Sequence, residues 1–455
     1  MADGTDYDVL IIGGGQAGIP LAYKLAAEGR TVALAERKDL GGSCVNFGCS
    51  PTKAAIASAK VAFQARRASE YGVEIPEVRI DFPAVLRRAR GVAETKRAGL
   101  DEGFENSENP FLIRGHARLE GREDGGFRVS VGDRSLLVGE VVLNTGTRTL
   151  VPPIEGLEGV DYIEAGNWLD REELPGHLAV VGGSYIGLEM AQFYRRMGSD
   201  VTVIVGTSDH VTSSEDDDVS EAMRGILAEE GVRFVFCERA EKVAVDGDNL
   251  VLTLAGDDPA EVRATHLFLA TGRRPNTDDL GLESVGIETD GRGFVQTDER
   301  LATDAEGIWV GGDIRGGPMF THTSYDDHRV LLSQMVGDGS RTTERVVPYA
   351  IFTDPELGRV GMTEREAREA GYEVEIHYLN MEEEQGKAYE LGENKGFIKV
   401  VSAAEKVLGA AVLTAEGAEL VHIYEDLMNA DEPLSVVREA VYIHPTLAED
   451  IQSAI

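Results

Sequence analysis

Cys44 and Cys49 stand five positions apart in the segment Gly41-Gly42-Ser43-Cys44-Val45-Asn46-Phe47-Gly48-Cys49-Ser50-Pro51-Thr52-Lys53. Two thiols that can meet can store and release two electrons as a disulfide. In a regular helix five steps rotate about 500°, so the side chains would diverge by about 140°, too far for disulfide geometry. The spacing therefore predicts a distorted turn. Gly48 relaxes the backbone between the thiols and Pro51 lacks the N–H a regular helix would use, so both are read as sources of the distortion. A helix beginning nearby would lower the thiol pKa values. The alternatives are two reduced cysteines in a core or a metal site, and the metal site would need further Cys or His ligands that the segment does not contain. The third cysteine, Cys237, follows Arg233-Phe234-Val235-Phe236 and reads as a small residue of a buried strand. Three cysteines are too few for a disulfide-stapled secreted scaffold.

The elements around the pair read as a strand-helix-strand unit. Tyr7 to Ile12 is a buried strand, Gly13 to Gly18 a turn, Ile19 to Glu28 a helix, and Thr31 to Ala35 a second strand ending at Glu36. Gly13-x-Gly15-x-x-Gly18 lets the backbone approach a pyrophosphate at a helix N-terminus, where free N–H groups and the helix dipole favour anions. Glu36, about twenty residues on, can accept hydrogen bonds from a ribose diol. The same grammar returns at Leu178 to Val181, with Gly182-Gly183-Ser184-Tyr185-Ile186-Gly187, a helix through Met197 and the strand Asp200 to Val205. Two such units imply two dinucleotides.

Two apolar runs, Val141 to Thr145 and Leu267 to Thr271, each stop at Thr-Gly, which places Thr145, Gly146 and Gly272 where strand ends turn close to a ligand. Ile308 to Asp313 is a further strand meeting a Gly-rich turn with a carboxylate at its tip. From about Val346 the texture changes to alternating strands and amphipathic helices, a separate α+β unit. The fold class is α/β.

With 455 residues and 42% hydrophobic content, the chain is about three domains long. A net charge of -36 and a pI near 4.6 repel nucleic acid phosphates and anionic lipid headgroups, so neither is expected as a partner. No stretch approaches the ~20 apolar residues of a membrane span, and the N-terminus carries no basic segment before an apolar leader. The expectation is a cytoplasmic protein. The acid runs Ser214-Glu215-Asp216-Asp217-Asp218 and Met381-Glu382-Glu383-Glu384 fit a salt-loving host, in which carboxylates hold water and cations while salt screens their repulsion. An ordinary acidic protein is the alternative, and loss of folding at low salt would separate the two.

The cysteine segment, both glycine motifs and His444-Pro445-Thr446-Leu447-Ala448-Glu449 together resemble the pyridine nucleotide-disulfide oxidoreductases, the family of glutathione reductase, dihydrolipoamide dehydrogenase and mercuric reductase. The resemblance covers essentially the whole chain. It implies FAD, with NADH or NADPH as electron donor, and two Rossmann-like dinucleotide-binding domains plus a C-terminal α+β dimerisation domain. The implied limits are 1–150 and 276–345 for the two parts of the FAD-binding domain, 151–275 for the NAD(P)-binding domain and 346–455 for the dimerisation domain. Cys44 becomes the interchange thiol facing the acceptor, and Cys49 the charge-transfer thiol against the flavin. Lys53 matches a lysine near the reactive flavin nitrogen and Glu189 its acidic partner, although a simple ion pair is the plainer reading. Gly42 and Asp313 join the flavin-binding candidates, Asp313 at the ribityl chain. Tyr185 matches a tyrosine that covers the nicotinamide pocket in several relatives.

His444 becomes the acid/base toward the interchange thiol and Glu449 its orienting carboxylate, with the histidine reaching the opposite subunit, so a homodimer with a shared active site is expected. The chemistry is sound, because an imidazole exchanges protons near neutral pH and a carboxylate on its other nitrogen fixes the tautomer.

Val45-Asn46, Pro51-Thr52-Lys53 and Ser184 place the chain nearer mercuric reductase than glutathione reductase. The stretch Gly316 to Asp327 resembles mercuric-reductase-like and reactive-chlorine-resistance flavoproteins. Mercuric reductases carry a C-terminal cysteine pair, whereas no cysteine follows Cys237 here. A small disulfide is therefore the expected acceptor, ahead of a metal ion such as Hg(II) or Cu(II), lipoamide, or a sensor role without turnover. The second unit leaves the coenzyme open, since Val205-Gly206-Thr207-Ser208-Asp209-His210 offers neither an acid at the strand end nor an arginine.

Overall fold

The computed structural model describes residues 4–256 and 260–455; Met1 to Asp3, the start of the stretch read for a leader, lie outside the described residues. Strand β1 (Tyr7–Ile12) runs parallel to β2 (Val32–Glu36) on one side and to the strand Arg134–Leu143 on the other. A strand flanked on both edges and covered on both faces needs a continuous apolar run, and Val9, Leu10, Ile11 and Ile12 supply it, all buried. Helix α1 (Gly18–Ala27) crosses between β1 and β2. The strand Ile308–Val310 joins Arg134–Leu143 in parallel, and Gly311 N–H donates to Leu143 O at 3.0 Å. This pairing brings Asp313 to the same sheet end as Gly13.

Three helices follow β2: α2 (Gly42–Asn46), α3 (Cys49–Arg67) and α4 (Phe82–Glu105). The break between the cysteines falls at Phe47 and Gly48, because a Cβ on Gly48 would sit 2.8 Å from Ser43 O. Pro51 is not a source of the distortion. It lies in the first turn of α3, where a missing N–H leaves no intrahelical bond unmade.

The second unit is a five-stranded parallel sheet in the order Val232–Cys237, Asp200–Gly206, His177–Val181, His266–Leu269, Ile163–Glu164. Helix α5 (Tyr185–Met197) links the central strand His177–Val181 to its neighbour Asp200–Gly206, and α6 (Asp217–Glu229) leads to the edge strand Val232–Cys237. Cys237 ends that edge strand half-buried, rather than in the core as its apolar neighbours imply. Helix α7 (Thr321–Met335) follows Asp313. The C-terminal part is an antiparallel sheet ordered Tyr349–Ile351, Glu356–Gly361, Lys406–Thr414, Phe397–Ala403, Glu375–Asn380, with α8 (Ala448–Ser453) near the chain end.

One acid run departs from its reading as a hydrated surface. Glu215 is buried and pairs with buried Arg359, Tyr349 Oη donates to the same carboxylate, and Lys399 Nζ reaches Asp216 at 3.2 Å and Asp218 at 2.8 Å. The run docks the second unit on the C-terminal sheet. Glu382 and Glu383 of the other run are exposed. Among the described residues no helix is long and apolar enough to cross a membrane.

Candidate active site

The first glycine motif is built against Asn144. A Cβ on Gly13 would lie 2.3 Å from Asn144 O, one on Gly15 2.9 Å from Asn144 Oδ1, and one on Gly18 2.3 Å from Gly13 O. Nothing larger than glycine fits these positions. Asn144 Oδ1 accepts from Gly18 N at 2.9 Å, and its Nδ2 donates to Gly311 O at 2.7 Å. Glu36 Oε2 accepts from Gly14 N at 2.8 Å and Oε1 from Lys38 N at 2.7 Å, which fixes the carboxylate at the end of β2. Gly42, at φ +61°, brings its Cα side to within 3.2 Å of Gly15 Cα, measured from an added Cβ.

Gly13, Gly15, Glu36, Gly42, Thr145, Gly146 and Asp313 line a cavity of about 1420 Å³ that continues to Cys44, Cys49, Lys53, Tyr185, Glu189 and Gly272. Gly18, Gly182 and Gly187 lie behind this lining. A Cβ on Gly187 would sit 2.0 Å from Gly182 O, so that glycine serves close helix-strand packing. The Thr145 hydroxyl donates to Asn276 O at 2.8 Å.

The donor set suits a flavin dinucleotide. Two glycine turns present backbone where a pyrophosphate would lie, Glu36 stands on the same cavity wall at the end of β2, and Asn46 Oδ1 is a buried acceptor on that wall with no partner among the described residues. Asp313 takes a hydrogen bond from Thr147 Oγ1 at 3.1 Å, and burial pushes its carboxyl above the usual range while Arg273, at 4.0 Å, opposes the shift.

Helices α2 and α3 bring the thiols to the cavity. Both cysteines are free, and Cys49 is the first residue of α3. The hydrogen bond shared with Cys44 draws Cys49 down to about 6, against burial and with help from Thr321 and Lys53. The same bond, together with burial, pushes Cys44 up. The two thiols are therefore unlike, with Cys49 the more acidic of the pair. Thr321 Oγ1 at the start of α7 lies 3.1 Å from Cys49 Sγ.

Lys53 Nζ, one turn along α3 from Cys49, pairs with Glu189 Oε2 at 2.8 Å and sits 4.2 Å from the centre of the Phe352 ring. Glu189 Oε1 accepts from Phe352 N at 3.0 Å. Tyr185 packs its ring 5.9 Å from that of Phe320, which stacks on Tyr349 at 5.2 Å, and burial raises the Tyr185 phenol.

His444 and Glu449 are brought to each other, not to the thiols. His444 Nδ1 lies 3.1 Å from Glu449 Oε2, and Thr446 N donates to that oxygen at 3.1 Å. The His444 side chain is 82% exposed, the neighbouring Val441 and Ile443 are exposed at 99% and 78%, and none of these residues lines the cavity. Among the described residues no group of three or more His, Cys, Asp or Glu is placed to hold a metal ion.

Asn144, Thr321 and Phe352 carry part of this geometry and were not singled out by motif. Only Asn144 had a local signal, its place at the end of an apolar run before Thr145-Gly146.

Comparison with known proteins gives a consistent result. The family described as pyridine nucleotide-disulphide oxidoreductase matches residues 7–327, and its dimerisation domain matches residues 347–455. RclA of Escherichia coli, a probable pyridine nucleotide-disulfide oxidoreductase, is 31% identical over 98% of both chains. A mercuric reductase of Streptomyces lividans is 34% identical over 91% of this chain and 88% of its own, and a dihydrolipoyl dehydrogenase of Haloferax volcanii is 32% identical over 99% and 96%. The Cu(II) complex of RclA superposes with a TM-score of 0.88 over 98% of both chains, at 31% identity.

Proposed function

Because the chain belongs to the pyridine nucleotide-disulphide oxidoreductases, an FAD-binding family with NAD(P)H as electron donor, we propose that Cys44 and Cys49 pass those electrons to a small disulfide. Residues 1–150 and 276–345 make up the FAD-binding domain, 151–275 the NAD(P)-binding domain and 346–455 the dimerisation domain. The glycine turn at Gly13, Gly15 and Gly18, with Glu36, Gly42 and Asp313, holds FAD, and Thr145 and Gly146 border it. Gly182, Gly187 and Gly272 shape the nicotinamide nucleotide site, with Tyr185 over its pocket. Bound FAD supplies the two-electron relay between NAD(P)H and the thiol pair.

Lys53 keeps a positive charge beside Cys49, and Glu189 holds that lysine in place. An imidazole removes the proton from Cys44, whose sulfur then attacks the acceptor. A Cys44–sulfur bond forms, the acceptor's S–S bond breaks, and the leaving thiolate takes the proton back from the imidazolium. Cys49 thiolate next attacks Cys44 Sγ, restoring the internal disulfide and releasing the second thiolate, which is protonated by water. The imidazole is His444 of the partner subunit, oriented by its glutamate. The exposure of the His444 side chain and its place outside the cavity of its own chain support this reading.

The observation that carries this reading is the placement of the pair: both thiols line the cavity that the first glycine turn borders, and Cys49 opens α3 beside Thr321 and one turn from the Lys53–Glu189 pair. Anaerobic stopped-flow spectroscopy tests it. NAD(P)H should bleach the flavin and raise a long-wavelength thiolate-flavin band. Cys44→Ser should abolish disulfide turnover and leave flavin reduction intact; undiminished turnover would overturn the assignment. A metal ion is the second reading for the acceptor, favoured by the solved Cu(II) complex of RclA. Rates with a panel of disulfides, Cu(II) and Hg(II) decide between them.

A further inference from the structure

The end of the strand Asp200–Gly206 is where a dinucleotide fold tells its two coenzymes apart. An acid there binds the adenosine ribose diol of NAD, and a nearby arginine accommodates the 2′-phosphate of NADP. Here the strand closes on Gly206, beside Cys237 in the neighbouring strand. Thr207, at φ +62°, donates its N–H to Cys237 O at 3.1 Å and Glu238 O at 3.0 Å, so the backbone turns sharply and sets Glu238 next to the strand end. The loop then returns over the glycine turn, with Thr212 N donating to Gly183 O at 2.8 Å.

The charges around this turn are mostly negative, and its histidine and arginine are engaged. His210 Nε2 lies 3.4 Å from Asp209 Oδ1 and 3.6 Å from Asp217 Oδ1. Arg239 holds Glu238 at 3.8 Å and Glu241 at 3.0 Å. A phosphate placed here would meet Asp209, Asp217 and Glu238 before it found a free guanidinium.

We infer that the second dinucleotide site selects NADH over NADPH, through repulsion of the 2′-phosphate by Asp209, Asp217 and Glu238 rather than through an acid bound to the ribose. This rests on the reading of residues 151–275 as the NAD(P)H site. Because these carboxylates are exposed, salt screens the repulsion. The discrimination is therefore salt-dependent, as one based on a hydrogen bond to the ribose would not be.

The test uses the FAD-loaded enzyme and two readouts. Flavin bleaching by NADH and NADPH is followed anaerobically at low and high KCl, and the affinities for NAD⁺ and NADP⁺ are measured by calorimetry under the same conditions. At low salt NADH should be favoured by at least about tenfold in kcat/KM, with a similar gap in the oxidised pair's Kd, a difference of about 1.4 kcal/mol. The gap should narrow at high KCl. Asp209→Asn with Glu238→Gln should narrow it at low salt by improving NADPH alone. A Cβ at Gly206 would come no closer than 3.4 Å to Glu238 O, so Gly206→Arg has room and should recruit NADPH. Equal use of both coenzymes, or a preference for NADPH at low salt, overturns the inference while leaving the function intact. If neither coenzyme bleaches the flavin, the function assigned to the second unit falls and the preference falls with it.

Discussion

The two glycine turns share a backbone and differ in what stands behind it. Gly13 and Gly182 adopt φ of +109° and +118°, and an added Cβ would strike the carbonyl oxygen of Asn144 at 2.3 Å in one case and of Ala270 at 2.2 Å in the other. In the first unit that opposing residue carries an amide that ties Gly18 to Gly311. In the second it carries a methyl group. Glu36 stands beside Gly14 of the first turn, whereas the matching position beside Gly183 of the second is taken by apolar Val205. The shared geometry serves pyrophosphate binding in general, and the added polar wiring in the first unit suits a ligand that stays bound. The second unit suits one that must leave at every turnover.

The largest expected effect follows from the shared part. Gly13→Ala should yield protein without flavin, whereas Gly182→Ala should retain flavin and lose its reduction by NADH, both read from absorbance spectra. Flavin loss in the second variant would erase the contrast. Next comes Asn144→Ala, which strips partners from two buried backbone groups at ~1–3 kcal/mol each. Flavin affinity should fall by tenfold or more, measured by fluorescence titration; an unchanged affinity would refute the role of the amide.

Thr321→Val removes one of the groups that lower Cys49 but leaves its bond with Cys44. The lowered Cys49 thiolate is lost as pH falls, and in the variant that loss should come at a higher pH than in the parent, by about one pH unit, roughly 1.4 kcal/mol. Iodoacetamide alkylation across pH measures this, and an unmoved midpoint assigns the acidity to Cys44 and Lys53 alone. The smallest change is Glu36→Gln, which keeps an acceptor for Gly14 N–H and gives up the charge. Flavin affinity should drop by about 0.5–1.5 kcal/mol; a loss as large as that of Asn144→Ala would make the charge, not the amide, the main distinction between the units.

Much of this was legible because it is local in sequence. The glycine triplets and Glu36 lie within a short stretch of chain, so spacing constrains them, and the His444–Glu449 pair was legible because that short segment matches the family's terminal signature. Lys53 with Glu189, and Asp313 near Gly13, were legible only through family resemblance, since nothing in their spacing joins them. Thr321 and Phe352 stayed hidden for a physical reason: each acts through contacts made to residues far away in the chain, and neither residue type is unusual where it stands. The acid run at Glu215 misled for the same reason. Composition counts carboxylates, but Arg359 and Lys399, which neutralise the run, lie far along the chain.

The contact chain from Lys53 through Glu189 to Phe352 also sets a schedule. The cysteines leave the ribosome early, Glu189 emerges 136 residues after Lys53, and Phe352 a further 163 residues later. Until all three have been made and docked, Cys49 lacks its fixed cation, and Thr321 is likewise still to come. A half-made chain therefore has the mutual Cys44–Cys49 bond, the largest influence on Cys49, but neither the Thr321 contact nor the anchored Lys53. The contacts that finish the site thus arrive last, from Thr321 and Phe352 in the part of the chain made well after both thiols.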